Sequence, residues 1–179
     1  MAQGGERNAR FDGGKNPQST IHNPQSTIHN PQSTIVIGYG STLRGDDAAG
    51  PRVVAAVARW ELPGLRAIAV HQLTPELAEP LSQAGMAIFV DARVGGGGVR
   101  LHPLRPTDRL SVLDVHIGDP ATLLALAHAL YGRVPRAWLI TLPAHSFELG
   151  TSLSPLTRRS LAVARRRIRT LLKRNHRRS

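Results

Sequence analysis

A chain of 179 residues with 41% hydrophobic content can bury one substantial core but not two. It contains no cysteine, which rules out a disulfide framework, a thiolate nucleophile and a zinc-thiolate site, so any metal chemistry must rest on His, Asp and Glu. The formal charge of +11 suggests a polyanion-binding protein, but ten of the 23 Lys and Arg follow Glu148 with no acidic residue among them, and the body is nearly neutral. A basic terminal segment of this kind fits a solvated helix face as well as a phosphate-binding patch.

The chain starts with a glycine-rich, polar stretch that has no signal-peptide core, and no apolar run approaches the roughly 20 residues of a membrane span. A cytoplasmic enzyme is the expectation. Asn16-Pro17-Gln18-Ser19-Thr20-Ile21-His22 is then repeated perfectly over 23–29 and restarts from Asn30 to Ile35, which points to a recent duplication of coding DNA. Each unit holds a proline and a lone isoleucine, so the seven-residue period has no coiled-coil seam. The expectation is a disordered extension over 1–33, with His22 and His29 too poorly preorganised to bind metal.

An α/β domain is expected over 34–173, followed by a basic tail at 174–179. Residues 34–38 read as a strand that breaks into the turn Gly38-Tyr39-Gly40. Helix is predicted from Ala49 to Trp60 with Val53, Val54 and Val57 inward, then strand over 66–70. Thr74-Pro75 opens a helix to about Gln83, and Met86–Asp91 is a continuous apolar strand ending in a carboxylate. Gly95–Gly98 reads as a mobile loop and Val99–Leu104 as an edge strand. Asp119-Pro120 caps a leucine-rich helix over 121–131, Ala137–Leu142 is a further strand, and Ser154-Pro155 starts a basic helix with an apolar stripe of Leu156, Leu161, Ile168, Leu171 and Leu172. The alternation predicts a three-layer α/β sandwich around a mostly parallel, twisted sheet of about five strands.

Two carboxylates then fall at strand ends, Asp47 beyond the first strand and Asp91 closing the third, where an open α/β sheet places its chemistry. His116, in Asp114-Val115-His116-Ile117-Gly118-Asp119-Pro120, precedes a helix at the same level. Two oxygens and an imidazole suit a borderline divalent ion such as nickel, cobalt or zinc. By spacing alone, the same residues fit an ordinary structural reading: Asp47 capping a helix, Asp91 closing a strand and His116 a polar loop residue. Asp46 reads as a helix-start carboxylate favoured by the dipole. Among other histidines, His71 is a candidate neighbour of the site and His145 a candidate substrate contact; His128 reads as partly buried packing, and His102 and His176 as solvent-facing.

The stretch Gly38-Tyr39-Gly40-Ser41-Thr42-Leu43-Arg44-Gly45-Asp46-Asp47-Ala48-Ala49-Gly50 resembles the opening signature of the hydrogenase maturation endopeptidases, G-x-G-N-x-L-x-x-D-[DE]-G-x-G. Phe89-Val90-Asp91-Ala92 resembles the family's V-D-A strand end, and His116 with Leu123-Leu124-Ala125-Leu126-Ala127 its histidine and following helix. Ser146-Phe147-Glu148-Leu149-Gly150 with Leu153-Ser154-Pro155 resembles its late block, so the likeness spans about 34–160. Val70-His71-Gln72-Leu73-Thr74-Pro75-Glu76-Leu77 looks closer to the branch serving bidirectional, soluble hydrogenases.

The resemblance implies a monomeric protease that removes a C-terminal extension from a nickel-iron hydrogenase large-subunit precursor after nickel insertion. It places metal contacts, and with them the catalytic site, on Asp47, Asp91 and His116. The nickel is carried by the precursor and is not resident in the protease, and neither a membrane nor nucleic acid is expected as a partner. Ser41 and Ala48 depart from the family's asparagine and glycine: serine lacks the amide's reach, and alanine is harmless only if its φ is negative. Pro51 requires the helix to begin at about Gly50. Two other readings stay open. In one, Gly38-x-Gly40 cradles a nucleotide phosphate, although Leu43 replaces the third glycine of G-x-G-x-x-G; in the other, the terminal arginines contact nucleic acid.

Overall fold

The computed structural model describes Met1, residues 30–107 and residues 118–177, with backbone only at 30–32. The elements run β1 (Asn30–Tyr39), a 3-10 turn (Gly45–Ala48), α1 (Ala49–Ala58), β2 (Leu65–Val70), a 3-10 turn (Pro75–Leu77), α2 (Ala78–Gln83), β3 (Ala84–Val94), β4 (Arg100–Leu104), α3 (Pro120–Tyr131), β5 (Arg136–Ala144) and α4 (Pro155–His176). Among the described residues the strands form one sheet in the order β2-β1-β3-β5-β4. All neighbours pair in parallel except the edge strand β4, which runs antiparallel to β5. The predicted three-layer α/β sandwich is the architecture observed.

Strand alternation divides the core in two. Val36, Ile88, Val90, Ile140 and Leu142 pack with Val53, Val54 and Val57 of α1 and Ile168, Leu171 and Leu172 of α4. Ile35, Ile37 and Phe89 point the other way, against Leu81 of α2 and Leu123 and Leu124 of α3. Helices therefore cover both faces, which is why the central strands read as continuous apolar runs. Leu156 and Leu161 of the predicted α4 stripe are only half-buried, and Thr157, Ser160 and Ala164 complete its inner face.

β3 and β5 outrun the prediction as paired strands, so β3 does not end at Asp91 but continues to Val94 beside β5; β1 and α4 also extend, each where a polar side chain ties it down. β1 begins inside the third repeat copy, with Asn30 in register with Ala84. There Ser33 Oγ donates to the Gln83 carbonyl at 3.5 Å and accepts from Gly85 N–H at 3.4 Å. α4 continues to His176 because Asn175, buried in its last turn, bonds Arg136 of β5 and Thr34 Oγ1 of β1. The first two repeat copies, with His22 and His29, lie outside the described residues.

The start of α1 sits in backbone contact with the sheet. A Cβ on Gly50 would lie 2.5 Å from the Val90 carbonyl oxygen and 2.7 Å from that of Tyr39, and one on Gly38 would collide with the Gly50 carbonyl. Both carbonyls belong to the sheet and cannot move aside, so Gly50→Ala is expected to lower the unfolding free energy by roughly 2–3 kcal/mol. A urea titration checks this; an unchanged midpoint would show that the helix slides without cost. Pro51 falls in the first turn of α1, where its missing N–H is tolerated.

Candidate active site

The chain order β1-α1-β2 leads to one side of β1, and the next crossover returns to β3 on its other side. The carboxyl ends of β1 and β3 thus form the switch point of the sheet, where a crevice opens in such folds. Asp91 closes the buried part of β3, and Asp47 lies in the 3-10 turn after β1.

Asp47 is held by the turn that precedes it. Its Oδ2 accepts the Ser41 N–H at 2.7 Å, while Ser41 Oγ accepts the Leu43 N–H at 3.3 Å. Serine therefore closes this turn without the family's amide. Gly40, at φ +132°, is obligatory here: a Cβ would strike the Asp47 backbone. Ala48 has φ −67°, so its departure from glycine carries no strain. The Ser41 amide that would cradle a phosphate is already used by a carboxylate, which counts against a nucleotide in this turn.

Asp91 lies between two hydroxyls. Its Oδ1 accepts the Ala92 N–H at 2.7 Å, and Tyr39 of β1 lies beside it, one step past the Gly38–Val90 register pair. Thr141 is its register partner on β5, with a buried Oγ1 that has no hydrogen-bond partner. Burial lifts the Asp91 pKa to about 6, with hydrogen bonding opposing and the nearby Asp47 charge adding. Burial, Asp91 and then Asp119 also push the Tyr39 phenol up. Asp119 caps α3 by accepting the Thr122 N–H at 3.1 Å, so the start of that helix opens on the same cluster.

The structure thus brings Asp47 and Asp91 within electrostatic reach of each other, as expected for ends of neighbouring parallel strands. His116, the third expected member, lies outside the described residues, and among the described residues no three His, Asp or Glu side chains group as a metal cage.

Asp46 differs from its expectation. Far from serving the dipole of its own turn, it is fully buried and takes three backbone N–H groups from the segment after β5. Oδ2 accepts from His145 at 2.8 Å and Ser146 at 3.2 Å, and Oδ1 from Ser154, the N-cap of α4, at 2.7 Å. Backbone bonds run alongside: Asp46 N–H to Ser146 O, Gly45 N–H to Gly150 O and Gly150 N–H to Leu43 O. The Gly38 block and the Ser146 block are one laced unit beside the crevice.

The remaining histidines sort by exposure. His71 is exposed and lines a pocket of about 160 Å³ with Gly40, Thr42 and Pro51 beside the turn. His145 is exposed and enters the lacing through its backbone. His102 and His176 are exposed as expected; His128, expected to pack, is exposed too, because α3 buries Leu124 and Ala127 instead. The α4 arginines at 158, 159, 165, 166 and 167 are exposed, as a solvated face requires. No described helix is long and apolar enough to cross a membrane.

No protein-family model matches the chain, and no curated protein matches it. Solved structures do. The hydrogenase 2 maturation peptidase from a Thaumarchaeota archaeon is 24% identical, with 79% of this chain and 98% of that one covered and a TM-score of 0.61. The hydrogenase maturating endopeptidase HybD from E. coli is 21% identical over 79% and 93%, with a TM-score of 0.65. The [NiFe] hydrogenase maturation protease HycI from Thermococcus kodakarensis KOD1 is 19% identical over 79% and 93%, with a TM-score of 0.63. This chain has the fold of the hydrogenase maturation peptidases.

Proposed function

We propose that this chain is an endopeptidase that removes the C-terminal extension of a nickel-iron hydrogenase large-subunit precursor after nickel insertion, recognising the precursor-borne nickel through Asp47, Asp91 and His116 and working as a cytoplasmic monomer. The observation that carries the reading is the pair Asp47 and Asp91. Two carboxylates lie near each other at the switch point of a sheet whose fold is shared with maturation peptidases, and among the described residues neither has an Arg or Lys partner. The Asp47 charge disfavours ionisation of Asp91, and an incoming cation relieves that repulsion. Asp47 Oδ2 and Asp91 Oδ1 are held by backbone amides, which aims both groups before any substrate arrives. His116 precedes Asp119, at the start of α3, by three residues. The imidazole would add a nitrogen donor to the two oxygens, a set that suits nickel.

Recognition through the cargo makes cleavage conditional, because a precursor without nickel offers the carboxylates nothing to bind. The exposed Leu43 and Leu149, one on each laced segment, give the rim of the site an apolar edge for a peptide.

The test is to mix the protein with nickel-loaded and nickel-free precursor and weigh the products. Cleavage is expected only of the loaded form, and Asp47→Ala or His116→Ala is expected to slow it by about a hundredfold or more. Processing that ignores nickel, or that survives both substitutions, overturns the assignment.

A further inference from the structure

The helical charge of this molecule is sorted by layer. α1 and α4 pack on one face of the sheet. α4 carries seven Arg and one Lys, α1 adds Arg52 and is followed by Arg59, and neither helix holds an acid. The helices on the opposite face, α2 and α3, hold no Arg or Lys. We propose that the outer surface of the α1–α4 layer is a docking surface for duplex DNA, gripped by its phosphates without reading of sequence. The surface covers a helix layer whereas the crevice opens at the strand ends, so the contact does not depend on the peptidase reading.

A merely solvated helix face is built differently. It mixes both signs and sets opposite charges four residues apart, whereas Arg165–Arg169 and Arg169–Lys173 place like charges at that spacing. Arg158 ends the first turn of α4, where the helix dipole disfavours a cation. All ten cations of the layer are exposed, and among the described residues none has a carboxylate partner. These arrangements cost the free protein, and an anion lying along the face relieves them.

The surface also has relief. Arg159, Arg166 and Lys173, spaced by seven residues, form the central row of α4. On one side lies a groove of about 390 Å³ beside Trp60, lined by Arg165, Arg166 and Arg169. On the other lies one of about 320 Å³ beside Leu101 of β4, to which Arg167 and Arg174 contribute. The Arg169 guanidinium is held 4.5 Å over the centre of the Trp60 ring. Guanidinium forks suit phosphate oxygens better than the point charge of lysine does.

Charge density selects the occupant. Eight cations along a helix roughly 33 Å long amount to about one per 4 Å, with no opposite charge between them. Duplex DNA matches this with a phosphate about every 1.7 Å of its axis. A folded protein surface mixes both signs and cannot. A bilayer would need an apolar row to insert, and α4 exposes no large apolar side chain. Single strands are held by stacking on aromatic rings, but Trp60 is covered by Arg169. The 2′-hydroxyls of RNA would meet only Thr170, whose Oγ1 already donates to the Arg166 carbonyl at 3.1 Å.

The test uses the full-length protein and a fluorescent DNA duplex of about 20 base pairs, followed by anisotropy between about 50 and 200 mM salt. Micromolar binding is expected, equal for unrelated sequences and falling linearly on a log–log plot against salt. Replacing the central row, Arg159→Gln with Arg166→Gln and Lys173→Gln, changes only exposed positions and keeps good helix formers. The slope of that plot is expected to become shallower by about 2.7, the worth of three phosphate contacts. An unchanged slope, or no binding by the wild type at the lowest salt, overturns the proposal. Polyglutamate that displaces the duplex at equal charge would assign the face to an acidic protein and also overturn it. Tighter binding to the single strand, to duplex RNA or to phosphatidylserine vesicles would do the same.

Discussion

Asp46→Ala is expected to be the most destabilising single substitution in the site region, lowering the unfolding free energy by roughly 3–5 kcal/mol, a large part of what a domain of this size possesses. The carboxylate is fully buried and accepts three backbone N–H groups, from His145, Ser146 and Ser154. Deleting it leaves three backbone donors without their acceptor at once and unfastens the segment after β5 from the turn. Asp46→Asn does not rescue the site, since both carboxylate oxygens are acceptors and the amide would turn a donor toward an N–H. The pH dependence has a definite sign. Burial alone would raise the Asp46 pKa, but the His145, Ser154 and Ser146 hydrogen bonds overcome it and hold it down at about 2. A depressed carboxylate contributes stability that is present above its unfolded pKa of 3.8 and is lost as pH falls toward 2, by about 2 kcal/mol. Urea titrations between pH 5 and 2 read this directly. Equal acid sensitivity of the wild type and Asp46→Ala would remove the account.

The neighbouring acid behaves otherwise. Asp47 accepts one amide, from Ser41, at the mouth of the crevice, and Asp47→Ala should cost about 1 kcal/mol while ending activity. The sequence motif presents the two carboxylates as a pair; only long-range structure separates them, because the partners of Asp46 lie about a hundred positions away.

The same distinction explains what was legible in the sequence. The sheet and its helices were readable, because the central strands carry apolar runs and the long helices carry their own signals, as with Asp119-Pro120 and Ser154-Pro155. Asp47 was readable as the carboxylate after the first strand and Asp91 as the one after the apolar run of the third, although β3 runs on to Val94; their adjacency follows once the strands are parallel neighbours. The lacing was not readable: Asp46 bonds backbone amides, and an amide acceptor leaves no mark on the residue types it serves. The start of β1 at Asn30 escaped because the repeat composition argues for coil and the ties at Ser33 are again to backbone.

Asp91→Asn is expected to do the reverse of Asp46→Ala: to abolish processing and to stabilise the fold at neutral pH by about 2–3 kcal/mol. Burial, with Asp47 adding, raises the carboxyl to about 6 from 3.8. A raised carboxylate is neutral below the unfolded pKa, where it costs nothing. As pH climbs from about 4 to 6 the unfolded chain ionises while the folded one keeps its proton, so stability is lost over that window and stays lost above it. Asparagine carries no such penalty and preserves an acceptor for the Ala92 N–H. The two proteins should therefore be equally stable near pH 4 and diverge to the full difference by pH 7, as followed by urea titration at each pH. A variant that is weaker than wild type at pH 7, or a gap that does not close on acidification, would show that Asp91 is structural. The window is separable from that of Asp46, which acts between about 4 and 2 with the opposite sign. A carboxylate kept at a cost to the fold, beside a second one and with no described cation to balance them, is explained by a ligand that supplies positive charge. In the proposed reaction that charge arrives on the precursor, so binding recovers the stability that the empty site gives up.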